Sequence, residues 1–316
     1  MFGEFLRDIA SWSGVLIWFF SGGALEDPQQ ALYLHKDLRH GCQHWRKGFI
    51  EADLLLPTGL RKALVQQSFL SRPTPNAQHA SLIKRYPLVK RQIAKVRRCF
   101  LQEFQQLRKK LRGVRSYRKK RSRRKAFYRK VERTFLEIFQ EALLPLWLGT
   151  PWHLYGTAER PHQKPVACGY FVINTLVSMG FVFPERSYHW RNRRDRMKVY
   201  EFAKAGASDM AKHFSHKSYL YFRTPQKLKK HLQRHGPGLY LLGLSFHVAW
   251  LIYDGKQAWL WHSDGRKRAR WVKREPLFQS KSVKKSKVWM LARLKTSMYL
   301  YWFFRKPLCI KKSPCR

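Results

Sequence analysis

Phe246-His247-Val248-Ala249-Trp250-Leu251-Ile252-Tyr253-Asp254-Gly255-Lys256-Gln257-Ala258-Trp259-Leu260-Trp261-His262 is two β-rich runs joined through Asp-Gly. Asp-Gly between such runs is among the strongest short hairpin signals, because these residues tolerate the positive φ of a two-residue turn. With Asp254 and Gly255 as the loop, Tyr253 pairs with Lys256, and counting back along both strands sets His247 opposite His262. Directly opposed residues have Cβ atoms about 4.5–5.5 Å apart on one face of the sheet, so the turn chemistry predicts two imidazoles side by side.

Further strands are expected around this hairpin, at 238–244 before it and at 268–273 and 288–294 after it. The upstream chain has helical periodicity instead. From Lys84 to Arg133 it is dense in Lys and Arg, with Glu103 and Glu132 as the acids, while Ile93, Val96, Phe100, Phe104, Leu107 and Leu111 recur three and four apart. A break is expected near Gly113, after which Phe127, Val131, Phe135, Ile138, Phe139 and Ala142 carry the period on to Pro145. Helices first and antiparallel strands afterwards make an α+β chain. The aromatic run Tyr299–Phe304 reads as a buried final strand rather than a membrane-surface anchor.

Composition narrows the partners. The 316 residues carry a formal net charge of +45, yet 44% are hydrophobic and 15% aromatic, which excludes a chain disordered throughout. Such a charge opposes compaction unless anions lie nearby, so an anionic polymer, cell-wall glycan or nucleic acid, is the expected partner of the basic helices. Five cysteines with no Cys-x-x-Cys pair exclude a zinc ribbon, a thioredoxin-like motif and a disulfide-stapled scaffold, and the odd count leaves a thiol free. No apolar run reaches the ~18 residues of a membrane span. Ile9 to Phe20, followed by Gly22-Gly23-Ala24, reads either as a signal peptide, with Glu4, Arg7 and Asp8 an atypical leader, or as an amphipathic first helix.

A base needs a nucleophile within hydrogen-bond reach and a third group to fix its tautomer. Cys168 opens an apolar-periodic stretch that ends at Gly180, so it is expected at a helix N-terminus, where unpaired N–H groups and the helix dipole favour the thiolate. His231 and His235 sit at i and i+4, a spacing zinc can use, but the intervening residues lack the metalloprotease glutamate and no third ligand is evident. With no Gly-rich phosphate loop and no Gly-x-Ser-x-Gly elbow either, neither a metal nor a cofactor is expected.

Three segments together, Gly149-Thr150-Pro151-Trp152, Ala167-Cys168-Gly169-Tyr170-Phe171-Val172, and Phe246–Tyr253 with Trp261-His262, resemble the NlpC/P60 superfamily of papain-like cysteine peptidases. The resemblance covers roughly residues 145 to 295. It implies a nucleophile helix packed on an antiparallel sheet, with Cys168 as nucleophile, His247 as base and His262 as the orienting residue. It further implies hydrolysis of an amide, typically in bacterial cell-wall peptide, and hence a protein exported to the periplasm or cell envelope. Where the family has a Gly-x-Pro-Tyr tyrosine, this chain has Trp152, which lacks a hydroxyl to hold an oxyanion; Tyr155 or the Cys168 backbone N–H could take that part. Ala167 and Gly169 replace the family's Asp and Ser beside the cysteine.

The expected organisation is a signal peptide or N-terminal helix at 1–24, a basic helical region at 25–144 with a Pro-rich linker at 71–76, and an NlpC/P60-like domain at 145–316. The basic stretch 185–235 is expected as an insertion capping the cleft. A second reading keeps the basic helices as a binder of nucleic acid or anionic envelope polymer, on a peptidase scaffold that has lost catalysis.

Overall fold

The computed structural model describes residues 76–182, 220–266, 269–294 and 296–305. The expected leader, the Pro-rich linker apart from Asn76 and most of the insertion lie outside them.

Helix α1 spans Asn76–Arg112 and α2 spans Tyr117–Glu137. The break between them falls at Gly113, and Ser116 caps α2 by accepting from the Lys119 N–H at 3.3 Å. α2 runs on through a π-helical turn, Ile138–Leu143, into α3, Leu144–Trp147. Ile93, Val96 and Phe100 of α1 and Phe127, Val131 and Phe135 of α2 are buried, with Phe100 and Phe127 edge to face at 6.1 Å. Lys109, Lys110, Arg118, Lys119, Arg121, Arg123 and Lys125 are exposed. The charge of α1 and α2 is thus displayed on helices held by aromatic packing.

Helix α4, Cys168–Met179, ends at Gly180, whose φ of 94° lies in the left-handed region that favours glycine at a helix end. Beyond residue 219 come β1 (Leu220–Phe222), α5 (Pro225–His235), β2 (Gly238–Leu244), β3 (His247–Tyr253), β4 (Ala258–Arg266), β5 (Ala269–Pro276), α6 (Lys281–Lys285), β6 (Trp289–Arg293) and α7 (Thr296–Phe304). The strands form one open sheet in the order β1-β6-β2-β3-β4-β5, with every pair antiparallel. The chain is therefore α+β. Leu242, Ala249, Leu251, Tyr253, Ala258 and Leu260 pack with Leu228 and Leu232 of α5 and Val283 of α6. Trp250, next in alternation, meets the Phe139 ring edge to face at 5.4 Å and bonds to α4.

Three expectations change. The β3–β4 register pairs Tyr253 with Ala258 and Trp250 with Trp261, two residues away from the sequence-based pairing. Asp254 Oδ1 accepts from both Lys256 N and Gln257 N at 2.7 Å, so its side chain does what a hairpin carbonyl would, and Gly255 at φ 103° and Lys256 become the turn centre. Tyr299–Phe304 is helical rather than a strand. Its aromatic content favours a strand locally, but Met298, Tyr299, Trp302 and Phe303 are buried at helical spacing, and the Trp302 and Tyr299 rings lie 5.0 and 5.3 Å from Phe135. Residues 220–235, expected within a cleft cap, instead supply β1 at the edge of the sheet and α5 on its core.

The segment before α4 is stitched to the far side of the sheet. Gly149 N donates to Val272 O at 2.8 Å, Val272 N to Thr150 O at 2.8 Å, and Trp152 N to Arg270 O at 2.7 Å, so residues 149–152 cover the outer edge of β5.

Candidate active site

Cys168 is the first residue of α4, and its approach is fixed by backbone. Val166 N donates to Pro151 O at 2.8 Å and Ala167 N to Gly156 O at 2.9 Å. Gly156 lies so close to this segment that a Cβ there would come within 2.6 Å of the Pro165 carbonyl group. The helix is tied to β3 by Trp250 Nε1, which donates to Thr175 Oγ1 at 2.8 Å, and the chain leading into it is tied to β4 by Ser263 Oγ, which donates to Val166 O at 2.7 Å. Its N-terminus meets the start of β3, where His247 is.

The Cys168 thiol is hydrogen-bonded to the His247 imidazole and receives the backbone N–H groups of Val248 and Gly169. Burial alone would push this thiol up. The charge and hydrogen bond of His247, together with the two N–H groups, outweigh burial and hold it below the ordinary thiol value. A thiol so placed can ionise by handing its proton to the imidazole.

His247 Nε2 and His262 Nδ1 are 2.7 Å apart, with ring centroids separated by 4.9 Å. The paired part of β3 and β4 ends at Trp250 and Trp261, and its register, carried onward, sets Ala249 rather than His247 across from His262. The imidazoles meet as diagonal neighbours, because a slip of two residues keeps every side chain on its original face.

His262 is fully buried, and its Nε2 lies 3.0 Å from Glu275 Oε1 on β5. Lys273 Nζ is 3.0 Å from Glu275 Oε2 and 2.7 Å from Asp264 Oδ2. Burial disfavours protonation of His262 more than the Glu275 carboxylate beside it promotes it, so the ring is held neutral. Burial would also raise Glu275, but the hydrogen bond from His262, the Lys273 ammonium and a Ser280 hydrogen bond bring it down to about 2. Glu275, Lys273 and Asp264 were not legible as site residues, because the strand expected at 268–273 stops short of Glu275. The available signal was a pair of charges at i and i+2 on a strand that shares a face with His262.

The remaining sequence-derived candidates have other contacts. Trp152 and Tyr155 are not among the partners of the Cys168 thiol. The Trp152 ring packs over Gly265, where a Cβ would collide with it, and Tyr155 is 68% exposed, its ring beside His153. His231 and His235 stack on α5 with centroids 4.1 Å apart, and burial together with the charge of His235 lowers His231 to about 4. Ligand atoms of His262, Asp264 and Glu275 lie within 4.8 Å of one another, a grouping able to hold a cation. The Lys273 ammonium already bridges both carboxylates, so the residues present do not fit a metal there.

Cys168 is free, whereas Cys99 is disulfide-bonded. Among the described residues no helix is long and apolar enough to cross a membrane. Compared with protein-family models, curated proteins and solved structures, the chain has no significant match in any of the three.

Proposed function

We propose that the chain is a thiol hydrolase of the NlpC/P60 type, a divergent papain-like cysteine peptidase or amidase that cleaves an amide in bacterial cell-wall peptide. The observation that carries this reading is the thiol of Cys168, bonded to His247 and held below its ordinary pKa at a helix N-terminus. Such surroundings favour a nucleophilic thiol over an inert buried one.

In this reading Cys168 passes its proton to His247, and the thiolate attacks the amide carbon. A C–S bond forms, and the oxyanion is held by the Cys168 backbone N–H with a second donor. Collapse breaks the C–N bond, and the amine leaves with the proton from His247. Water, deprotonated by His247, then attacks the thioester; the C–S bond breaks, the acid departs and the thiol is restored. Phe246, 99% exposed beside His247, offers an apolar contact to the arriving substrate. The basic faces of α1 and α2 suit an anionic wall polymer.

The test is labelling by a thiol-directed probe near neutral pH, with mass spectrometry locating the adduct, followed by turnover of purified cell-wall peptide. Adduct at Cys168 with turnover lost in Cys168→Ala supports the proposal. Unreactive Cys168, or turnover unchanged by its removal, favours the second reading, a non-catalytic polyanion binder, for which the exposed Lys and Arg of α1 and α2 are the supporting observation.

A further inference from the structure

A neutral imidazole has one donor and one acceptor nitrogen, and which is which depends on the partner of each. Four groups face His262: His247 from β3, Asp264 from its own strand, and Glu275 and Lys273 from β5. Glu275 Oε1 touches Nε2 and, as a carboxylate, can only accept. His262 must then carry its proton on Nε2 and leave Nδ1 bare. A bare Nδ1 2.7 Å from His247 Nε2 must receive a proton from it. That leaves His247 Nδ1 without a proton, the state in which it can accept one from Cys168.

We infer that Glu275 is a positioning residue for the thiol site, setting the tautomers of His262 and His247 in series, and that Lys273 holds its carboxylate in the orientation that does so. The inference rests on the hydrolase reading for its function, though not for its geometry. Lys273 is 10% exposed at its side chain and bonds to one oxygen of each carboxylate, leaving Glu275 Oε1 for His262. Its ammonium also offsets the charge of two nearly buried anions.

Glu275→Gln keeps the shape and reverses the logic. The amide has a single oxygen, and Lys273, a donor only, claims it. The NH₂ group then faces His262 Nε2 and forces the proton to Nδ1. His247 is flipped in turn, so that its Nδ1–H points at the thiol and the base is lost. Combining Glu275→Gln with Lys273→Met frees the amide to turn its oxygen back to His262, and Asp264→Asn is added to remove the second charge that Lys273 balances.

The experiment follows iodoacetamide alkylation of Cys168 in the full chain against pH, with mass spectrometry at that residue. Glu275→Gln is expected to raise the midpoint of the profile by about one unit and slow alkylation at pH 7 about tenfold. The triple variant is expected to return to within about threefold of wild type. A Glu275→Gln profile matching wild type, or a triple variant as slow as Glu275→Gln, overturns the inference. Independently of any variant, ¹⁵N spectra of histidine-labelled wild-type protein should show His262 protonated on Nε2, and a proton on Nδ1 overturns it even if the variants fail to fold. A wild-type Cys168 that titrates as an ordinary thiol would instead remove the hydrolase reading, leaving the tautomers to be judged by the spectra.

Discussion

Trp250 Nε1 donates to Thr175 Oγ1 at 2.8 Å, and both groups are buried, so one hydrogen bond ties the helix that presents Cys168 to the strand that presents His247. Thr175 Oγ1 also donates backward to Phe171 O and Val172 O, which leaves its lone pair facing the indole. Replacing Trp250 by Phe removes the donor and part of the indole volume. A loss of about 1–3 kcal/mol in unfolding free energy is expected from denaturant titration, with slower alkylation of Cys168 as the helix end loses its position.

Removal of the sulfur is the most direct test of the chemistry. Cys168→Ala should abolish hydrolysis of cell-wall peptide while leaving the circular dichroism spectrum and polyanion binding unchanged. His262→Ala should be milder, with turnover falling on the order of 10- to 100-fold, since it removes the orientation of the base rather than the nucleophile. Steady-state rates on purified wall peptide check both.

Acid should destabilise the fold in two stages. His262 is held neutral in the fold and takes up a proton more readily when unfolded, so its contribution is present above the unfolded imidazole value of about 6.5 and is lost as pH falls below it. Glu275, brought from 4.5 to about 2, contributes stability that is present above 4.5 and lost as pH falls toward 2. Thermal melts from pH 8 to pH 2 should show the midpoint falling through both windows. Glu275→Gln should flatten the lower one, and an unchanged lower limb in that variant would contradict the assignment.

Gly156 is a backbone site with no room to give. A Cβ there meets the Pro165 carbonyl carbon and oxygen at 2.6 Å, and these are main-chain atoms that cannot swing aside. Gly156→Ala should cost about 1–3 kcal/mol in a denaturant titration and disturb the bond from Ala167 N to Gly156 O that seats the start of α4.

The basic helices α1 and α2 should bind polyanions with a steep salt dependence, because each neutralised phosphate or carboxylate releases a counterion. Affinity for DNA or anionic wall polymer, measured by fluorescence anisotropy, is expected to fall by at least tenfold between 50 and 200 mM salt, on the order expected for several simultaneous contacts. A flat response would show that the charge does not engage the polymer.

Much of the molecule could be read from local pattern. The stripes of α1 and α2, their break at Gly113, the run from Cys168 to the Gly180 cap and the succession of strands all follow from periodicity and turn residues that act over short range. Asp254-Gly255 marked the β3–β4 turn but misplaced its centre, because the choice was made by the Asp254 carboxylate competing with the main chain. His247 and His262 still meet, since the slip preserved their face. Tyr299–Phe304 misled for a different reason: packing on Phe135 chose helix against local propensity. Glu275, Lys273 and Asp264 were hidden because their meaning lies in the register between β4 and β5, where His262 stands across from Lys273, and no local signal specifies that pairing.

The stitching of residues 149–152 onto β5 also bears on the order in which the protein matures. Residues 149–152 find main-chain partners in Arg270 and Val272 of β5, and His262 finds its carboxylate on the same strand in Glu275. A nascent chain made only through β4 holds Cys168, His247 and His262 but lacks both the main chain that fastens residues 149–152 and the Glu275 carboxylate. Non-local closure of this kind comes late in folding, so the topology defers completion of the Cys168 surroundings until the sheet is complete.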